Sequence, residues 1–153
     1  MAEHPFAFRL VTPQRLVSES EIVFLEAPGS EGYLGVLAHH APLITTLRPG
    51  RLDVRDPSGT MRHYAVSGGF LEVSDNRATV LADAVERPED IDVARAEASL
   101  RRAEGRLREG HGHATVSPAG EGTLAVAEVT AVDRARAQRS LERAKNRIAI
   151  ARG

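Results

Sequence analysis

The side chains in this chain best spaced to do chemistry are arginines. Asp92, Arg95 and Arg102 fall on one flank of an apolar heptad seam, and Asp133, Arg136, Arg143 and Arg147 fall on the equivalent flank of a second seam. If the two helices pair antiparallel, equivalent flanks meet on one face. Arg95 then neighbours Arg147, with Arg102 and Arg143 deeper along the same face. Four convergent guanidiniums make an anion site suited to a polyphosphate or to carboxylates of a partner. The same spacing also fits a solvated face laced with pairs such as Glu97 to Arg101 and Glu104 to Arg108. Spacing alone leaves both readings open.

Little else points to catalysis. The sequence has no GxSxG, HExxH, Walker lysine loop or GxGxxG, and its six histidines are scattered. His111 and His113 form an H-x-H in a Gly-rich stretch with no third ligand indicated, which reads as loop rather than metal site. His39-His40 precedes Ala41-Pro42 at a turn, where packing explains the imidazoles better than general-base work. Ser67 stands beside Gly68-Gly69, a pair that suits a bulge or a close backbone approach without a nucleophile. There is no cysteine, so disulfides, thiol catalysis and Cys-ligated metals are excluded.

The elements that must carry these residues fall into two parts. Residues 6 to about 85 alternate apolar and polar positions, with turn residues every eight to twelve or so, the rhythm of a β-sandwich. Phe6, Phe8 and Leu10 alternate before Pro13, and Leu52 and Val54 run into Asp56-Pro57-Ser58-Gly59, a strong hairpin turn. Asp75-Asn76 makes a second turn. After Pro88 the period becomes helical and Ala, Arg and Glu dominate. The spacing predicts a first helix over 88–109, with Pro88 in its first turn, Glu89, Asp90 and Asp92 at its positive end and Gly110 as its stop. Its seam is Val93, Ala96, Leu100, Ala103 and Leu107, with Gly105 a weak point.

A second helix is predicted from near Thr130, with Asp133 completing a capping box and Ala137, Leu141, Ala144, Ile148 and Ala151 on its seam. Ala alternates with Leu or Ile on both seams, so an antiparallel hairpin is the natural pairing. Its small buried area requires it to lean on the sandwich or on another chain. The expected fold is therefore α+β, mainly β: an antiparallel β-sandwich over 1–86, then a two-helix hairpin over 87–153 with a long link at about 110–129. Within that link GTLAVAEV could add a short strand or extend the second helix.

Composition narrows the function class. Twenty Lys and Arg stand against 21 Asp and Glu, so there is no overall field to attract nucleic acid or an anionic membrane. The N-terminus lacks a signal-peptide pattern and no segment has the length of apolar residues a membrane span needs. A non-catalytic subunit of a larger assembly fits best, with membrane association only through a partner.

Read in order, VTP at 11–13, GSEGYLGVL at 29–37, HAPL at 40–43, RPG at 48–50, SGGFLEV at 67–73 and TVLAD at 79–83 resemble the epsilon subunit of bacterial F-type ATP synthases. The resemblance is specific over 6–104 and weaker from Asp133 onward. It implies a central-stalk rotor component on the cytoplasmic side of the bacterial cell membrane, bound to the gamma subunit and seated on the c-ring. Tyr33 and His40 are its implied c-ring contacts, Tyr33 and Ala38 standing where relatives commonly have Glu and Gly. It also implies a hairpin that folds on the sandwich or extends toward the catalytic alpha and beta subunits to restrain ATP hydrolysis. Some members bind ATP when folded. IDVARA at 91–96 is similar to their I/L-D-x-x-R-A motif, which makes Ile91, Asp92, Arg95 and Ala96, with Glu86, Arg102, Arg143 and Arg147, the implied nucleotide contacts. No cofactor is required; ATP would be a regulatory ligand. The competing reading, a stand-alone sandwich that binds a ligand or hydrolyses one, is disfavoured by the missing polar triad and an aromatic content of 4%.

Overall fold

A computed structural model describes the backbone of residues 3–109 and 123–153, and side chains over 3–108 and 133–153. The His111–His113 pair and Gly110 lie outside these residues. Among the described residues eight strands run in the order β1 Phe6–Val11, β2 Leu16–Ile22, β3 Phe24–Gly29, β4 Gly32–Val36, β5 Leu43–Arg55, β6 Met61–Ser74, β7 Arg77–Ala82 and β8 Val85–Glu86. Hydrogen bonding links seven of them as β2-β1-β7-β6-β5-β3-β4, and β8 pairs with β6. All pairs are antiparallel except β1 with β7.

The two long strands, β5 and β6, serve both layers of the sandwich. The half of β6 after Gly69 pairs with β7, and Ala65 and Val66 pair with β8. Gly69 marks the crossing: its φ is 129°, and a Cβ there would lie 2.0 Å from the Leu81 carbonyl oxygen. Only glycine fits so close a backbone approach. Alternation does the rest. Phe6, Phe8 and Leu10 of β1, Leu25 and Ala27 of β3, Leu71 and Val73 of β6 and Ala78, Val80 and Ala82 of β7 all point into one core. Both predicted turns form. Gly59 N–H donates to the Asp56 carbonyl, and Asp75 and Asn76 both take positive φ, 48° and 54°, as the tightest hairpins require.

The helical half departs from the spacing-based boundaries at both starts. Pro88–Asp90 is a separate 3₁₀ turn and the first helix, α1, runs Val93–Glu109. Ile91 is extended and buried against Ala65 and Ile150, and the Asp92 carboxylate accepts the Arg95 backbone N–H at 2.9 Å, so Asp92 is the cap rather than a helical residue. The second helix, α2, spans Thr123–Arg152, beginning before Thr130. Residues 123–130 hold neither Pro nor Gly, whereas Pro118, Gly120 and Gly122 precede them, so the run extends the helix and not the sheet. The hairpin seam buries Ala96, Ala103, Ala137 and Ala144. Ile150 and Ala151 at the end of α2 then pack on Ala65 and Ile91, which seats the hairpin on the sandwich. No helix among the described residues is long and apolar enough to cross a membrane.

Candidate functional site

Where α2 lies on the sandwich, a cleft of about 410 Å³ opens, lined by Ser67, Asp83, Glu86, Ser99, Arg143 and Arg147 among others. Each lining group arrives for a local reason. Asp83 and Glu86 follow the last long strand, where the chain turns from β7 into β8. Ser99 and Arg143 lie one helical turn or less from the seam alanines Ala96 and Ala144, so they flank the buried stripe. Ser67 precedes the glycine pair, and its backbone N–H donates to the Ala84 carbonyl at 3.1 Å.

Arg147 is the fixed point of the cleft. Its Nη2 donates to Glu86 Oε1 at 2.7 Å, and its Nε lies 2.6 Å from Oε2 without aiming its hydrogen there. The two side chains are 19% and 30% exposed, so water screens the pair only in part. Arg143 Nη2 donates to Ser140 Oγ at 3.1 Å, and Arg102 Nη2 to Ser99 Oγ at 3.0 Å. These hydroxyl bonds leave most of each guanidinium's donors available. The cleft thus offers two guanidiniums, two carboxylates and three serine hydroxyls, a lining that can bind a polar ligand carrying both anionic and donor groups.

The arginines anticipated from helical spacing divide. Arg143 and Arg147 line the cleft with Glu86 and Ala144, whereas Arg95 and Arg102 are exposed on α1 and do not line it. The reason is the docking of α2 on β5 and β6, which turns the Arg147 side of that helix onto Glu86. Ile91, Asp92 and Ala96 are occupied structurally, as a packing residue, a cap and a seam residue. Of the two surface pairs expected along α1, Glu104–Arg108 forms at 3.9 Å, but Glu97 pairs across the hairpin with Arg152 at 2.5 Å instead of with Arg101. Among the described residues no cluster of three or more His, Asp or Glu could hold a metal ion.

Tyr33 and His40 stand at opposite ends of β4. His40 lies in the turn after it, where its backbone N–H donates to the Leu37 carbonyl and its Nδ1 bonds the Ala41 carbonyl at 2.7 Å. The neighbouring His39 takes φ 61° and its N–H donates to Asn76 Oδ1, which ties this turn to the β6–β7 hairpin. Tyr33 is near the start of β4, with its ring under the Arg48 guanidinium at 5.8 Å and its hydroxyl accepting the Arg51 backbone N–H at 3.2 Å.

One surface was not legible in the sequence. Leu16, Val11, Leu81, Phe70 and Thr46 are direct partners across five adjacent strands, and Ile44 lies two residues further along β5. Apart from the Thr46 hydroxyl they form an apolar row on the outer face, where Ile44 is 74% and Phe70 54% exposed. Large apolar side chains left facing water on a sheet form a patch that a partner can cover.

Residues 5–88 match the family model described as the beta-sandwich domain of the ATP synthase delta/epsilon chain, and residues 89–117 match its long alpha-helix domain. Neither match reaches α2. An ATP synthase epsilon chain from Pelotomaculum thermopropionicum is 53% identical over 107 residues, covering 70% of this chain and 79% of the relative. One from Syntrophomonas wolfei is 47% identical over 107 residues, covering 70% and 78%. Among solved structures, a chain of the Euglena gracilis mitochondrial ATP synthase, resolved with its c-ring, superposes with a TM-score of 0.71 at 22% identity, covering 93% of this chain and 78% of that one.

Proposed function

The chain belongs to the ATP synthase delta/epsilon family, as an epsilon chain of the bacterial F-type enzyme, and from that premise we propose that its sandwich docks on the gamma subunit and the c-ring while its hairpin regulates ATP hydrolysis. The observation that carries the docking half is the exposed row from Leu16 through Leu81 and Phe70 to Ile44. It lies on the outer face of the strands whose inward side chains build the core, and covering it removes apolar area from water at about 25 cal/mol per Å². Association with the membrane is then peripheral, on the cytoplasmic side, through these partners. Co-purification tests this: the full chain should carry gamma and c subunits with it, and Phe70→Asp should lose gamma. Retention of gamma by Phe70→Asp at parent levels would remove the strip from the account.

The cleft supports the regulatory half. With α2 on the sandwich, Arg143 and Arg147 face Glu86 and Ser67 in a space of about 410 Å³. A nucleotide polyphosphate placed there would favour the docked hairpin by the ratio of its affinities for docked and extended forms, about 1.4 kcal/mol per tenfold. With the hairpin extended, the same arginines would be free to meet acidic residues of the alpha and beta subunits. Calorimetric titration of the chain with ATP should give heat that Arg143→Ala abolishes. No heat from either protein would end the nucleotide reading and leave the stalk reading standing.

A further inference from the structure

We propose that Tyr33 and Asn146 grip the Gly50–Arg51 peptide group from its two sides, so that seating of α2 on the sandwich and the state of the β4 edge at Tyr33 are energetically coupled. The inference rests on the reading that the hairpin can leave the sandwich.

The grip originates in a break in the sheet. β3 pairs Glu26 with Asp53 and Gly29 with Leu47, so residues 27–28 face residues 48–52 of β5 across a shift of register. Pro28 has no N–H to give to the ladder, and the shift frees backbone groups of β5. A trans peptide points its C=O and its N–H in opposite directions. Here the Arg51 N–H donates to Tyr33 Oη at 3.2 Å, and the Gly50 carbonyl accepts from Asn146 Nδ2 at 3.0 Å. The same amide reaches the carbonyl of Val66, the β6 partner of Gly50, at 3.4 Å, so Asn146 straddles two strands.

Residue 50 must be glycine for this to work. A Cβ there would lie 2.4 Å from the Pro28 Cβ and 3.2 Å from Tyr33 Oη. A side chain would push away both the strand and the hydroxyl. Asn146 is half-buried on α2, one residue before Arg147 of the cleft, and four before Ile150 of the apolar seat. It is thus the polar pin of the docked helix. Tyr33 by contrast is 51% exposed and open to a partner. Tyr33 and Asn146 also line a second cleft of about 690 Å³ that the last residues of α2 complete.

Hydrogen bonds on the two ends of one peptide polarise each other, so losing one weakens the other. Coupling of this kind is reciprocal. A partner that draws the Tyr33 hydroxyl away loosens Asn146 and favours release of α2; release of α2 in turn loosens Tyr33. Contact at the β4 edge is thereby reported to the hairpin through a single peptide unit.

The test uses the full chain, which lacks cysteine, with spin labels on cysteines introduced at positions 46 and 139 to read the docked fraction. Parent, Tyr33→Phe, Asn146→Ala and the double variant form a cycle, with amide exchange at Arg51 measured in each. Each single change should lower the docked-to-undocked ratio about two- to tenfold, the range of one ordinary hydrogen bond. The double variant should fall short of the product of the two. Asn146→Ala should also speed exchange at the Arg51 amide, which Asn146 does not touch. Should Asn146→Ala fold poorly, Asn146→Ser supplies the same corner of the cycle. Effects that multiply, or a Tyr33→Phe that speeds Arg51 exchange while the docked ratio stays at parent value, would overturn the coupling and leave the mobile hairpin intact. No undocked fraction in any variant, Asn146→Ala included, would overturn the mobile hairpin and the coupling with it.

Discussion

The sandwich and the hairpin bury side chains of different size. Phe8, Leu10, Ile22, Leu25, Leu52 and Leu71 are fully buried in the first; in the second the seam residues out of contact with water are Ala96, Ala103, Ala137 and Ala144. A fully buried Leu or Phe contributes about 1.5–3 kcal/mol of apolar transfer, and an alanine methyl under 1 kcal/mol. The sandwich core therefore gains more from burial per residue, whereas the hairpin meets the sandwich through smaller contacts, among them the Ile150–Ala65–Ile91 cluster, the Glu86–Arg147 pair and the Asn146 amide. Elements held this way open at low cost while the base stays folded. The proposed function draws on that division, with the sandwich as the part that binds partners and the hairpin as the part that detaches.

Substitutions on the two sides of this division should behave differently, and the largest effect belongs to the core. Leu71→Ala should cost about 2–5 kcal/mol in urea unfolding and destabilise the whole chain, hairpin included. Loss of the hairpin alone, with the sandwich transition unmoved, would contradict the assignment of the core. Ala144→Leu should cost about 1–3 kcal/mol by overpacking the seam. Its expected signature is a separate, earlier loss of helical circular dichroism with the strand signal retained.

Smaller effects sharpen the contrast. Nothing lies within 4 Å of where a Cβ at Gly105 would stand, so Gly105→Ala should stabilise α1 by about 0.5–1 kcal/mol, read as a later helical transition. Smallest of all is the response of the 56–60 turn to acid. The Asp56 carboxyl is held below its ordinary 3.8, first by the Ser58 hydroxyl, then by the Thr60 and Ser58 backbone N–H groups and the Arg62 charge, against a desolvation effect of opposite sign. A depressed carboxylate contributes stability above its unfolded pKa and loses it as pH falls through the folded one. Acidification below about 3.8 should therefore open this turn, and Asp56→Asn should flatten that step in an NMR titration of the Ser58 and Thr60 amides.

The sandwich was legible because alternation and turn chemistry act locally: Phe6, Phe8 and Leu10 declare an inward face, and Asp56-Pro57-Ser58-Gly59 declares a reversal. The hairpin seam was legible for the same reason at helical period. What stayed hidden depends on contacts between distant segments. Phe70 and Leu71 are adjacent and equally apolar, and only cross-strand register shows that one faces outward with Leu81 and the other inward. Asp92 looked like a helical acid until burial of Ile91 made it a cap. Arg95 and Arg102 share a flank with the cleft-lining residues by spacing, but α2 sits on β5 and β6 and closes the cleft with Arg143 and Arg147. The break opposite Pro28 follows from the missing N–H, yet its use by Tyr33 and Asn146 needs the third dimension.

In the proposed function the sandwich stays bound to its partners while the hairpin governs turnover. The direct measurement is ATP hydrolysis by the assembled enzyme carrying this chain either whole or ended after residue 87. The expected result is faster hydrolysis with the shortened chain still bound to gamma and the c-ring. An unchanged rate, with the shortened chain equally retained, would contradict it.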